Sequence, residues 1–343
     1  MPPISPQTDH GTSVWALVVT RNRKELLVQC LRALEAQTQP VAGVIVLDNA
    51  SDDGTAQHLQ ADGFVDSRHR LMRSEVNLGG AGGYAEILRH GCETGADWLW
   101  LMDDDAEPVP GALALLLGAP VAEDERTVGL CGAVVHRDGR IDPLHRCRLR
   151  RFIIPLPFSA YAPGTNAEVD CASFVGLLIR VRAVRAAGLP RPEFFLGYDD
   201  AEYSLRLGRL GAIRLVPESV MIHKLVMGGG EMTRRSRIWN RVLRAHYSSS
   251  PWEGYWRDLY GVRNFMALKV EHEGLSRSQL IVLIAGYVVK SSLYDNRPLR
   301  RLPWLVRFAL RGWRGDFRAP TPEAWADYAR RTDRPGWRRG RGG

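Results

Sequence analysis

The sequence has no CxxC pair and none of the cysteine density of a disulfide framework. Its five cysteines (Cys30, Cys92, Cys131, Cys147 and Cys171) are scattered. Isolated thiols of this kind fit a reducing, cytoplasmic setting. No apolar run approaches the roughly 20 residues that a membrane span needs. The nearest, Leu280 to Val289, is half that length and reads as a buried or interfacial helix. Met1 to Gly11 is rich in proline and polar residues and has no apolar core, so it reads as disorder over 1–12 and not as a signal peptide. There is no internal repeat, and no glycine loop is followed by GK[ST], which excludes a Walker-type phosphate loop.

What is present is an ordinary globular composition. The 343 residues are 45% hydrophobic and 24% charged, enough for one large α/β domain with an appendage, or for two domains. The net charge of +8 is uneven: Arg297 to Gly343 carries 13 Arg against 4 acidic residues, which leaves the rest of the chain near −1. A basic C-terminal region suits an anionic membrane surface or nucleic acid.

Hydrophobic patterning gives alternating strands and helices. Val14 to Thr20 and Val44 to Leu47 read as buried strands, Arg70 to Arg73 as a weaker one, and Trp98 to Met102 as another. Helices are expected over Lys24 to Gln37, from Thr55 to Gln60, and after the glycine run up to about Thr94. Continuous apolar strands alternating with helices argue for a mostly parallel, Rossmann-like sheet covered on both faces. Further regular structure is expected at Val175 to Val181, after Asp199, and at Ala212 to Val216, with helices beyond about Ser250.

Ligands in such sheets bind at the carboxyl ends of the strands. Three polar clusters fall there. The first follows Thr20. The second is Asp48-Asn49-Ala50-Ser51-Asp52-Asp53-Gly54, where Asp48 alone reads as an Asx-turn. The third is Asp103-Asp104-Asp105, directly after an apolar strand. Adjacent carboxylates at a buried strand end need a cation or a proton. In extended backbone Asp103 and Asp105 share one face about 7 Å apart, while Asp104 points away. That spacing suits one divalent ion and phosphate oxygens. Asn77-Leu78-Gly79-Gly80-Ala81-Gly82-Gly83 allows close backbone approach ahead of a helix. Asp199-Asp200-Ala201-Glu202 opens a helix after an aromatic lead-in, where one carboxylate can serve as a base. His223 follows an apolar run, and one imidazole beside oxygen ligands suits Mn²⁺ as well as Mg²⁺.

Taken in order, Val18-Val19-Thr20-Arg21-Asn22-Arg23, the Asp48 cluster, the Asn77 to Gly83 run, Asp103 to Asp105, Asp199 to Tyr203 and His223 resemble glycosyltransferase family 2. The resemblance is nearest to its galactofuranosyltransferase and rhamnosyltransferase branch, and Trp252, Tyr255, Trp256 and Tyr260 ahead of Arg263-Asn264 extend it. The resemblance covers about Val14 to His223 and implies a GT-A fold over 13–250; composition adds a helical basic region over 251–333 and an Arg/Gly-rich disordered tail over 334–343. It also implies roles. Asp48 would contact the nucleotide, with Thr20 and Arg21 in the same pocket, and Arg73 and Asn77 would sit near nucleotide or sugar. Asp103, Asp105 and His223 would hold Mn²⁺ or Mg²⁺, Asp103 also facing the donor. Asp200 would be the base of an inverting displacement, and Asp199 would touch sugar or acceptor.

The expected reaction moves galactofuranose from UDP-galactofuranose to a hydroxyl of a glycan or polyprenyl-linked acceptor in envelope polysaccharide synthesis, at the inner face of the cell membrane. A rhamnosyltransferase using dTDP-rhamnose is the alternative within the branch. A nucleic-acid-binding protein would use the basic tail but leaves the acidic cluster unexplained, so no nucleic acid is expected. A nucleotidyltransferase lacks a basic triphosphate motif beside the first strand. The stretch Leu302 to Arg314 reads equally as an interfacial helix on anionic lipid or as a helix packed on the catalytic domain with an Arg-rich outer face.

Overall fold

The computed structural model describes residues 12–61, 63–150, 152–224, 232–243 and 247–333. Apart from Thr12, the two stretches expected to be disordered lie outside the described residues. Two compact units divide the chain. One runs through Phe195 and resumes at Asp199 to include His223; the other takes the C-terminal helices and the short segment Leu196–Tyr198.

In the first unit, Val14–Thr20 (β1), Lys24–Glu35 (α1), Gly43–Asn49 (β2), Thr55–Ala61 (α2), His69–Ser74 (β3), Gly79–Cys92 (α3) and Trp98–Asp103 (β4) follow the expected alternation. Ala106–Pro108 (β5), Ala112–Leu117 (α4) and Thr127–Val135 (β6) come next. A small antiparallel sheet contains Arg146–Leu149 (β7), Ile153–Pro155 (β8) and, after Glu168–Val169 (β9), Cys171–Ala172 (β10). Leu177–Arg180 (β11), Val181–Ala187 (α5), Asp199–Gly208 (α6) and Ala212–His223 (β12) complete the unit.

The main sheet has the order β3-β2-β1-β4-β11-β6-β12-β5, with β9 also on β12. β1 to β4 are parallel, as are β6 and β12, while β11, β5 and β9 run antiparallel. Side chains alternate between faces with the two-residue period of a strand. Leu17, Ile45, Leu47, Leu99 and Leu101 pack with Tyr84, Ile87 and Leu88 of α3. Val14, Ala16, Val18, Val46, Trp100 and Met102 pack with Leu27, Leu31 and Leu34 of α1. Both faces are therefore apolar, and the parallel sheet is buried.

Two boundaries differ from expectation. α3 begins at Gly79, inside the glycine run and not after it, so Gly80 to Gly83 are helical. A Cβ on Gly83 would stand 2.9 Å from Val19 Cγ1, so glycine here lets the helix settle on β1. β12 is longer than the short strand expected, because it bulges between Val216 and Val220 and continues pairing with β6 through Ile222. That extension carries His223 to the level of the acidic cluster.

The second unit contains Arg234–Leu243 (α7), Trp256–Glu273 (α8), Arg277–Tyr294 (α9), Pro298–Trp313 (α10) and Pro322–Asp333 (α11). α9 opens with a capping box between Ser276 and Gln279. Leu305 and Ala309 of α10 share an apolar cluster with Val262 and Met266 of α8, and Gly312 lies against the Arg263 backbone. Leu302 to Arg314 is thus helical as expected, with Leu305, Phe308 and Ala309 buried within this unit. α9 instead exposes Ile281, Val282 and Val289 on one face. Asn264 Nδ2 donates to the carbonyls of Leu196 (3.1 Å) and Gly197 (2.8 Å). Among the described residues no helix is long and apolar enough to cross a membrane.

Candidate active site

β4 ends at Asp103, and Asp104 and Asp105 form a turn into β5. The three carboxylates are thus sorted by a turn and not by strand alternation. Asp104 faces β1: Thr20 Oγ1 donates to its Oδ2 at 2.8 Å. Arg23 Nη1 bridges Asp104 Oδ1 (3.1 Å) and Asp105 Oδ2 (3.2 Å). On the other side the Tyr84 hydroxyl of α3 donates to Asp103 Oδ1. β12 brings His223 Nε2 to 3.2 Å from Asp105 Oδ1. One ligand atom each from Asp103, Asp105 and His223 lies within 4.8 Å of the others. Asp105 Oδ1 is buried without a well-formed hydrogen bond. An orphaned carboxylate oxygen beside a second carboxylate and an imidazole fits a divalent cation.

The electrostatics follow from this crowding. Burial, then the charge of Asp105, raises the Asp103 carboxyl above its usual range. Burial pushes Asp104 up to about 6 against the pull of Arg23 and Thr20. Burial opposes ionisation of Asp105, yet His223 and Arg23 outweigh it and hold that carboxyl low. His223 is correspondingly raised: burial disfavours its charge, but Asp105 prevails.

The second cluster stands beside the first by register. Thr20 pairs with Asp48, and Asp48 with Arg73. Asp48 Oδ1 accepts from Ser51 N at 2.8 Å, the expected Asx-turn. Its Oδ2 is buried and accepts no hydrogen bond, with Arg73 Nε 3.8 Å away. One oxygen therefore shapes the loop and the other is left for a donor from outside. Arg73 also donates to the Ser51 carbonyl at 3.1 Å. The Thr20 hydroxyl is committed to Asp104, so its place is as a brace for the acidic turn; the Arg21 side chain is exposed and its N–H lies 3.4 Å from Asp104 Oδ2.

Asn77 Oδ1 accepts from Gly79 N at 3.0 Å, and Asn49 ties the same turn through Leu78 N (2.8 Å) and the Gly79 carbonyl (3.0 Å). Asn77 thus shapes the start of α3. Gly79 has φ +71°, and a Cβ there would fall 2.2 Å from the Phe195 carbonyl oxygen. Ala81 N donates to that same carbonyl at 3.2 Å, which joins α3 to the segment ahead of α6.

Asp199 and Asp200 are the first two residues of α6. Asp199 is buried and Asp200 half-buried. Burial, then the charge of Asp103 after a counteracting bond from Ala201 N (2.7 Å), leaves Asp200 pushed up to about 6. Arg146 of β7 pulls the other way. Its fully buried guanidinium donates to the carbonyls of Gly132 (2.9 Å), His145 (2.9 Å) and Val175 (2.7 Å). The neighbouring His145 sets its ring edge-on to His223, centroids 5.0 Å apart, with Nδ1 2.7 Å from Ser173 Oγ.

A family profile described as glycosyl transferase family 2 matches residues 15–187, half of the chain. The chain belongs to glycosyltransferase family 2. This family 2 enzyme is 34% identical over 206 residues to galactofuranosyltransferase GlfT1 of Mycolicibacterium smegmatis, covering 59% of this chain and 67% of that protein. It is 34% identical over 204 residues to galactofuranosyltransferase GlfT1 of Mycobacterium tuberculosis, covering 58% and 66% respectively. A structure of GalNAc-T7 with UDP, GalNAc and Mn²⁺ superposes with TM-score 0.53 and 14% identity, over 91% of this chain and 59% of that one. That likeness shows the fold, GT-A, which is the α/β architecture expected from the sequence. The family 2 chain spans about three-fifths of the length of that structure and about two-thirds of the length of these two GlfT1 relatives.

The residues that sequence reasoning did not single out are those that hold others in place. Tyr84 lies five residues into a helix whose start was set too late, so its side of α3 could not be assigned. Arg23 lies next to β1 with no local sign of its partners, because its bridge depends on the Asp104–Asp105 turn. Arg146 and His145 come from an irregular region with no periodicity to read.

Proposed function

We propose that the protein is a metal-dependent, inverting galactofuranosyltransferase acting on UDP-galactofuranose. The observation that carries the reading is the convergence of Asp103, Asp105 and His223, with the charge of Asp103 felt by Asp200. When bound there, Mn²⁺ or Mg²⁺ supplies charge neutralisation for the departing nucleoside diphosphate. Asp48 Oδ2 accepts from the nucleotide, and Arg73 closes the same pocket. Asp200 takes the proton from the acceptor hydroxyl as that oxygen attacks the anomeric carbon. The new glycosidic bond forms as the bond to the diphosphate breaks, in one displacement that inverts configuration. Asp199 contacts sugar or acceptor. The choice of galactofuranose is supported by the two galactofuranosyltransferases that share 34% of aligned residues.

The acceptor is a hydroxyl of a glycan, carried on a polyprenyl diphosphate at the inner membrane face. The exposed α9 residues Ile281, Val282 and Val289, with a basic C-terminal region, support peripheral contact with anionic lipid. Flotation with anionic vesicles at low salt tests this; failure to co-float ends it.

A donor panel with Mn²⁺ tests the reaction. Transfer from UDP-galactofuranose is expected to exceed transfer from dTDP-rhamnose and from UDP-galactopyranose. Asp200→Asn should abolish transfer while UDP still binds. Preferential use of dTDP-rhamnose would replace the donor assignment, and retained turnover in Asp200→Asn would remove the base.

A further inference from the structure

The C-terminal unit contains a cavity of about 440 Å³ whose lining includes Trp252, Asn296, Arg297, Arg300 and Arg301. The three arginines cluster at the N-terminus of the 16-residue helix α10. Its N-cap residue makes no side-chain cap hydrogen bond and Pro298 occupies its first turn, and the dipole of a helix favours an anion at this end. A helix terminus alone would not make a site. The independent observation is Arg301. It is 1% exposed, and its Nη1 donates no hydrogen bond, while Nη2 is held by the Ser250 carbonyl (2.6 Å) and Asn296 Oδ1 (2.5 Å). Asp295 lies 3.9 Å from Nη1, beyond hydrogen-bonding reach. A buried guanidinium with one unused edge is costly unless a partner arrives.

The aromatic residues hold the arginines in place. Arg300 stacks over the Trp252 ring at 4.2 Å and also bonds Thr332 Oγ1; Arg301 stacks over Tyr255 at 4.3 Å. Arg297 takes φ +51°, which turns the chain sharply into α10 and sets it in the same wall as Arg300 and Arg301. Among the described lining residues Glu253 is the single acid. Planar guanidinium groups fixed in this way match phosphate oxygens. Leu299, between Arg297 and Arg300, is 86% exposed, which suits a phosphate that carries an apolar chain.

We infer that this cavity is a second binding site, for a phosphate or diphosphate ester borne by a lipid. The site does not depend on the donor or sugar assigned above. Its test uses the full-length protein and inorganic pyrophosphate, titrated calorimetrically in EDTA so that the acidic cluster repels the probe. Saturable 1:1 binding is expected. Arg297→Asn, which tolerates the left-handed backbone, and Arg300→Gln should each weaken it by about tenfold or more. Arg301→Met should do the same, but its burial makes the two exposed-side variants the decisive ones, with an unchanged melting temperature as control. Asp48→Asn, which disables the proposed nucleotide contact, should leave pyrophosphate binding intact, so a failure of the donor reading is separable from a failure here. Displacement of pyrophosphate by polyprenyl diphosphate in detergent assigns the site to a lipid-linked substrate, and displacement by phosphatidic acid vesicles assigns it to membrane headgroups. Absence of saturable binding, binding that the arginine variants leave unchanged, or displacement by neither lipid overturns the inference.

Discussion

The Tyr84 hydroxyl donates its proton to Asp103. A phenol from α3 therefore orients a carboxylate from the end of β4, and the same hydroxyl lies 2.9 Å from the Met102 carbonyl. Groups that orient metal-binding carboxylates typically change affinity or activity about 10- to 100-fold when removed. Tyr84→Phe is expected to raise the apparent Mn²⁺ requirement about tenfold while the protein stays folded. Mn²⁺ titration of activity, with melting temperature alongside, checks this; an unchanged Mn²⁺ midpoint would refute the orienting role.

Asp48 offers a sharper substitution. Asparagine keeps an oxygen for the Ser51 N–H but replaces the second, unpaired oxygen with a donor. Asp48→Asn should raise the Kd for UDP by about tenfold or more, since a buried acceptor is exchanged for a mismatched donor. Stability should move little. Equal UDP affinity in the variant would mean that this oxygen does not meet the nucleotide.

The pH dependence follows from Asp200. Its carboxyl is pushed up to about 6, and a base must be ionised to accept a proton. Activity is therefore expected to be flat above that value and to fall as pH drops through it, with unit slope in log kcat/KM. Part of the upward push comes from the charge of Asp103. Saturating cation should accordingly move the limb to lower pH. A limb that ignores cation concentration would break the link between Asp200 and the acidic turn.

Gly79→Ala tests the junction between α3 and the segment before α6. The new methyl would meet the Phe195 carbonyl in a backbone already at φ +71°. A cost of at least about 2 kcal/mol is expected from strain and overlap together, read as a lowered urea midpoint. Gly95→Ala, also at positive φ but with nothing nearby, should cost less. Equal losses would assign the whole effect to backbone conformation.

The sequence made the sheet legible because both faces of β1, β2 and β4 are apolar. Runs such as Val14 to Thr20 have few other physical uses. Asp103, Asp105, His223 and Asp48 were legible as candidates because polar residues at strand ends stand out against those runs. That Asp104 parts from Asp103 and Asp105 was legible too, but the turn that parts them was not. The separation of Asp104 from its neighbours rests on a two-residue turn, and that turn depends on Thr20 and Arg23, more than 80 positions away. The helix start inside the glycine run was not legible, because local propensity disfavours helix there, whereas contact with Val19 rewards the absence of a Cβ. The cavity around Arg301 had no local signature, since it assembles Trp252 with α10 across some 50 residues.

Arg23 gives the acidic turn a resident positive charge, shared between Asp104 and Asp105. Folding of this region need not wait for an ion, because the chain supplies its own stand-in. Arg23 takes Oδ2 of Asp105, so Oδ1, beside His223, stays open to a cation that need not displace the arginine. The turn is therefore held in shape before any ion arrives, and one carboxylate can serve the fold and the ligand at once.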